Sequence, residues 1–203
     1  GSCIAILCNN PVITTQPISN NNCEGNSLTF SVVENGGNAY QWQESTDGGI
    51  NYTNIVDGGV YSGATTVDLA ISDNTGLDGN MYQLVISEVN NSCPTTSDAV
   101  SITATAFESP TVSCNATTVN SVTFEWTSPS NAVDYDLSYT INGGAATTAT
   151  NESSPFTVSG LNPNDVVDIT VTTNGTGCYT VGTGSCSAVP CNAPVIGTEP
   201  INN

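Results

Sequence analysis

The sequence predicts an all-β protein of two consecutive β-sandwich domains, part of a tandem array. Three observations carry this. Apolar residues alternate with polar ones in many short runs, which is the period of a strand with one wet face. Glycine, asparagine and aspartate clusters separate those runs every 8–14 residues, as turns between short strands do. The two ends of the chain are also alike: residues 1–20 read GSCIAILCNNPVITTQPISN and residues 184–203 read GSCSAVPCNAPVIGTEPINN.

At an offset of 183, thirteen of these twenty positions are identical, including both cysteines and both prolines. Unrelated segments match at about one position in twenty, so the recurrence marks a repeat. A period of 183 residues is too long for a solenoid unit and fits two domains of about 90 residues each. The expected organisation follows from this. Residues 1–10 end a preceding repeat and its linker, 11–106 form one sandwich, 107–190 form a second, and 191–203 start the next repeat.

In the first half, Leu28, Phe30 and Val32 alternate, then Tyr40 and Trp42, then Val67, Leu69 and Ile71. Tyr82, Leu84 and Ile86 follow, and Val100 and Ile102 close the set. Asp47-Gly48-Gly49, Asp57-Gly58-Gly59 and Asp78-Gly79 supply turns that need positive φ. Trp42 stands where the third strand of a sandwich carries its core tryptophan, and Asp73 to Leu84 reads DNTGLDGNMYQL. That run resembles the D-x-G-x-Y-x-C signature of immunoglobulin-like domains, which implies that Tyr82 is a tyrosine corner. Leu84 stands where that signature has cysteine. The text YQWQESTDGGINYTNI with YSGATTVDLAIS resembles immunoglobulin-like repeats of very large surface proteins from gliding and related Bacteroidetes-type bacteria.

In the second half, Val122, Phe124 and Trp126 alternate, then Tyr135, Leu137 and Tyr139, then Val167, Ile169 and Val171. VTFEWTSPSNAVDYDLSYT resembles strands two and three of a fibronectin type III domain, with Trp126 as its core tryptophan. FTVSGLNPNDVVDITV resembles the later L-x-P-G-T-x-Y segment, matched by Leu161 and Pro163, with Val167 in place of the usual tyrosine. The resemblance implies an immunoglobulin-like sandwich followed by a fibronectin III-like one, with Trp42, Tyr82, Trp126 and Leu161 in the cores.

Charge excludes whole classes of function. The chain carries 18 carboxylates and no Lys, Arg or His, a formal charge of -18. Nucleic acid as a direct partner needs a basic surface. Schiff bases and Ser-His-Asp, Cys-His or His-zinc chemistry need side chains that are missing. No apolar run is long enough for a transmembrane helix.

Eight cysteines stand at 3, 8, 23, 93, 114, 178, 186 and 191. No C-x-x-C pair suggests metal, and no cation is present to favour a thiolate. An even count points to disulfides made in an oxidising, extracellular place. Topology suggests Cys23–Cys93 within the first sandwich and Cys114–Cys178 within the second. Cys3–Cys8 and Cys186–Cys191 would then close small linker loops. Cys178–Cys186 competes with the last of these, because the partner equivalent for Cys3 would lie in a preceding repeat.

The close acidic pairs, Asp134/Asp136 and Asp165/Asp168, are the only general acid–base candidates. The first pair flanks Tyr135 on a strand whose tyrosine faces inward, so both point to solvent, and the reading is a protein that is not an enzyme. Calcium is the one cofactor candidate, with hard oxygen donors at Asp47, Asp57, Asp73 and Asp78 in glycine-rich loops. No segment has the spacing D-x-[DN]-x-[DN]-G with a distant Glu. Tyr52, Tyr61 and Tyr179 are the tyrosines free to stack on sugars.

These observations lead to an extracellular, cell-surface stalk repeat of an adhesin or filament, whose partners are neighbouring repeats of the same chain. The resemblance adds export by a type IX route and a role in adhesion or gliding. The alternatives are a sandwich module that binds surface glycan or another cell-surface protein, and an accessory region of a secreted enzyme. One prediction needs only the composition. Trypsin cuts after Lys and Arg, so it leaves the reduced, unfolded chain whole on a gel, while chymotrypsin fragments it.

Overall fold

The computed structural model describes residues 10–88 and 91–191. The chain divides into two compact units, 1–106 and 107–203. Both are built from strands, and no helix occurs among the described residues.

Unit one has eleven strands among its described residues: β1 (Val12–Thr15), β2 (Asn20–Cys23), β3 (Leu28–Ser31), β4 (Val33–Asn35), β5 (Ala39–Ser45), β6 (Thr53–Asn54), β7 (Tyr61–Ser62), β8 (Asp68–Ile71), β9 (Met81–Glu88), β10 (Asn91–Thr96) and β11 (Val100–Thr105). The larger sheet has the order β2-β11-β9-β5-β6, and β10 also pairs with β9. The order β3-β8-β7 makes the second sheet, and β1 pairs with β4 as a separate ribbon. The alternation seen in the sequence turns Leu28, Phe30, Leu69, Ile71, Leu84 and Ile86 inward from the two sheets, where all are buried.

Trp42 and Tyr82 are fully buried in this core. The Phe30 ring lies 5.4 Å from that of Tyr82 and 6.3 Å from that of Trp42. Trp42 Nε1 donates to the Thr66 carbonyl at 3.1 Å, so its one polar atom is satisfied inside. Leu84, at the signature's cysteine position, is also fully buried, and apolar packing stands where the resemblance has a disulfide.

Tyr82 departs from the tyrosine-corner expectation. Its hydroxyl donates to a side chain, Glu44 Oε1, at 2.8 Å instead of reaching back to the backbone. Tyr61 OH and Asn80 Nδ2 donate to the same oxygen at 2.6 and 2.9 Å. Three neutral donors thus hold one half-buried carboxylate where another protein would use an arginine. Burial, then the bond to Glu44, pushes the Tyr61 hydroxyl up to about 12. Burial drives Tyr82 up still further.

The loop after β5 is arranged by Asp47. Its carboxylate accepts from Asn51 N at 2.9 Å, Asn51 Nδ2 at 2.6 Å and Ser45 Oγ at 2.7 Å. Gly48 and Gly49 follow at φ 75° and 87°, a conformation open to glycine at little cost. The bonds from Asn51, with that from Ser45, lower the Asp47 carboxyl to about 2.

Unit two has seven strands among its described residues: β12 (Val112–Thr117), β13 (Ser121–Trp126), β14 (Ala132–Ile141), β15 (Thr147–Glu152), β16 (Phe156–Ser159), β17 (Val166–Gly175) and β18 (Gly182–Ser187). They form two sheets, β12-β13-β16 and β15-β14-β17-β18. Val122, Phe124, Leu137, Val167, Ile169 and Val171 fill the space between them. Trp126 meets Tyr135 edge-on at 5.3 Å, and Leu161 is buried beside this layer. Val167 is fully buried, so the place of the missing tyrosine is taken by a core side chain.

The tyrosine pair makes unit one sensitive to alkali. Tyr61 has a folded pKa of about 12, raised from 10.0 in the unfolded chain. Its contribution to stability is therefore complete below pH 10 and is lost as pH rises through about 12. We expect Glu44→Ala, which leaves the Tyr82 hydroxyl buried with fewer partners, to lower stability to urea by roughly 1–3 kcal/mol. It should also move tyrosine ionisation toward ordinary pH, read by tyrosinate absorbance.

Candidate functional site

The features that distinguish this molecule are the strands through which each unit joins the rest of the chain. In unit two these are β12, the first strand, and β18, the last. They belong to opposite sheets, and a disulfide joins Cys114 on β12 to Cys186 on β18, with Cα atoms 5.5 Å apart. Two glycines allow the approach. A Cβ at Gly182 would collide with the Pro110 carbonyl, and one at Gly184 would sit 2.7 Å from Val112 Cγ1. Gly184-Ser185-Cys186 is the triplet that recurs as Gly1-Ser2-Cys3. The recurring motif is thus the part of the last strand that must lie flat on the first and be bonded to it.

This pairing corrects the sequence expectations. Cys114 bonds Cys186, so neither Cys114–Cys178 nor Cys178–Cys186 forms. Cys186–Cys191 does not form either, and Cys191 is an exposed free thiol. Cys186 was expected in a linker but lies within β18, where register sets it opposite Val167. Cys178 is nevertheless disulfide-bonded. The expected Cys3–Cys8 bond lies outside the described residues.

In unit one, β2 runs parallel to β11, with Asn20 opposite Ile102 and Cys23 opposite Thr105. A strand near the start of the domain therefore lies parallel to its last strand. Pulling the two ends apart loads these hydrogen bonds together, in shear. On the same edge of β9, β10 and β11 follow one another: Thr95 lies opposite Ile86 and Ser101 opposite Met81. Cys93 and Thr105 are consequently at opposite ends of the sheet, about 30 Å apart at the rise of a strand. Cys23, beside Thr105, cannot reach Cys93, since disulfide Cα atoms lie within about 7 Å. Both cysteines are disulfide-bonded, so the expected Cys23–Cys93 pair is replaced by bonds to other cysteines.

The other predicted residues do not converge. Asp57 accepts from Ala64 N at 2.7 Å, Asp73 from Thr75 N at 2.8 Å and Asp78 from Ala104 N at 2.9 Å. With Asp47 these four carboxylates are each taken up by separate hydrogen bonds within unit one, Asp78 with a strand 26 residues away, and no metal-binding group of three acidic, Cys or His side chains exists among the described residues. Asp134 accepts from Asn174 Nδ2 at 2.8 Å, and Asp165 from Asn162 N at 2.7 Å and Asn142 Nδ2 at 2.8 Å. The Asn162 amide, then the Asn142 side chain, holds the Asp165 carboxyl below its usual range. Tyr179 donates to the Ser130 carbonyl at 2.7 Å and Tyr61 to Glu44 at 2.6 Å, so both hydroxyls are engaged within the fold. The outer face of β14, β17 and β18 carries a hollow lined by Ser138, Thr140, Asp168, Thr170, Thr183 and Ser185, without an aromatic ring.

Residues 12–106 match a family model described as Domain of unknown function (DUF8696). No curated protein matches the chain. Among solved structures it is similar to an I-band fragment from titin, at 15% identity and a TM-score of 0.50, over 92% of this chain and 66% of that one. The likeness is one of fold. A three-immunoglobulin-domain titin variant aligns at 16% identity and TM-score 0.49, covering 89% and 65%. A two-domain fibronectin type III segment from chicken tenascin aligns at 18% identity and TM-score 0.37, covering 88% and 97%. The chain spans 62% to 66% of the length of the first four structures it matches. The protein is therefore all-β with an immunoglobulin-like sandwich fold. Its disulfides suit an oxidising, extracellular setting.

The cross-link in unit two closes a long loop, its cysteines lying 72 positions apart in the chain. Loop-closure entropy then makes the bond worth about 4 kcal/mol. We expect the double change Cys114→Ser, Cys186→Ser to lower the stability of unit two by that order in urea, with unit one, followed by Trp42 fluorescence, unchanged.

Proposed function

We propose that this chain is a force-bearing stalk repeat of a long secreted cell-surface protein, an adhesin or filament of the kind its first half resembles. In this reading residues 11–106 and 107–190 are the two domains of one repeat, and 191–203 begin the next. The stalk holds a binding tip away from the cell, and export by a type IX route and a part in adhesion or gliding belong to the same proposal. Its partners are the neighbouring repeats.

The observation that supports the reading best is the Cys114–Cys186 bond between the first and last strands of unit two. Tension entering at β12 leaves through β18 across a covalent bond, so the residues between never carry it. In unit one the parallel β2–β11 pair meets tension in shear. A soluble module that only presents loops has no need of either arrangement.

Single-molecule stretching of the whole chain tests this. Under oxidising conditions the 72-residue loop stays hidden. With reductant this loop alone adds about 250 Å to the fully stretched length, at roughly 3.5 Å per residue. Equal lengths with and without reductant would overturn the load-bearing reading.

A further inference from the structure

The chain enters unit one at the end of the sheet where Cys93 lies. The Pro11 carbonyl accepts from Thr95 Oγ1 at 2.7 Å, and Asp98 N donates to Gln16 Oε1 at 2.9 Å. Residues 11–16 therefore run beside residues 95–98. Cys93, two residues before Thr95, is disulfide-bonded, and Cys23 is at the far end of the sheet. The cysteine nearest to this entry point in sequence is Cys8, three residues before Pro11. Three residues of chain span about 10 Å and the two from Thr95 to Cys93 about 7 Å, so the two cysteines are within reach of each other.

The repeat supplies a second, independent argument. Cys3 corresponds to Cys186, and Cys186 is bonded to Cys114 of its own repeat. The partner that corresponds for Cys3 is thus the Cys114 counterpart of a preceding repeat, so of the two cysteines before Pro11 it is Cys8 that remains for a bond within this chain. Cys191 corresponds to Cys8, and it is an exposed free thiol four residues beyond the end of β18.

We propose that Cys191 forms a disulfide with the counterpart of Cys93 in the following repeat, and that Cys8 makes the same bond to Cys93 within this chain. The proposal rests on the tandem-array reading. Two thiols lose two protons and two electrons to form the bond. The oxidant is a disulfide donor of the glutathione or thioredoxin-like class, which leaves as two thiols. Only Ser187, Ala188, Val189 and Pro190 then separate Cys186, bonded into one repeat, from Cys191, bonded into the next. Covalent bonds on both sides of so short a connection restrict bending at every junction between repeats.

The test uses the 203-residue chain and a tandem chain of residues 1–203 joined to residues 21–203, both carrying Cys3→Ser at the N-terminus and both folded with oxidised glutathione. Chymotryptic peptides are mapped by mass spectrometry without reduction, after alkylation of free thiols. In the single chain we expect a Cys8–Cys93 peptide and full alkylation of Cys191. In the tandem chain, alkylation of the junction Cys191 falls at least tenfold and its peptide appears joined to Cys93 of the second copy. Cys93→Ser in the second copy alone restores that alkylation. Cys93 bonded to any other cysteine, or a junction Cys191 as reactive in the tandem chain as in the single one, overturns the proposal. If the junction thiol stays free while reduction still lengthens the stretched chain, the cross-link alone fails and the stalk reading stands.

Discussion

Every polar interaction in this protein is built without a cation. Eighteen carboxylates have no Lys, Arg or His to meet them, yet a carboxylate drawn into a fold must keep its hydrogen bonds. The structure resolves this with neutral donors. Glu44 takes two phenols and an amide, and Asp47 takes backbone and side-chain nitrogens of its own turn. Glu34 takes Gly37 N at 2.7 Å and Tyr40 OH at 2.8 Å, and that bond raises the Tyr40 hydroxyl above its ordinary value. The abundance of asparagine, serine and threonine is the counterpart of the missing cations, because these residues supply the donors.

The same constraint explains the weight placed on sulfur. A fold with no ion pairs and a uniformly negative surface gains nothing from electrostatic attraction between its parts, and like charges oppose compaction. Hydrophobic burial between the sheets answers this within each sandwich. The first strand of unit two, β12, is largely exposed, and there a covalent bond holds it to β18. Gly182 and Gly184 matter for that bond, since any larger side chain would lift β18 off β12.

The fold class was legible because two periodicities survive in the sequence. Alternation in runs such as Leu28-Phe30 and Val167-Ile169-Val171 reports which face of a strand is dry, and Asp-Gly clusters report where strands end. The disulfides were not legible. Cysteine spacing carries no record of which strand edges meet, and the Cys23–Cys93 expectation assumed that two cysteines in one sandwich lie at one end of it. Register decides otherwise, because β10 and β11 lie end to end along β9. The recurrence of Gly-Ser-Cys at both ends of the chain was a usable signal for Cys186, since a motif repeated with its glycine marks a packed strand better than a linker.

What the sequence determined by itself is the alphabet of this protein: strands with one dry face, turns that need glycine, no positive charge, and a period of 183 residues. These are local or compositional properties, and local physics reads them without knowing the fold. Only the tertiary structure decided which carboxylate meets which hydroxyl and which cysteine meets which. Those pairings join residues far apart in the chain, such as Glu44 with Tyr82 and Cys114 with Cys186. They exist because strand order and register bring the residues together, and neither quantity is written at the positions concerned.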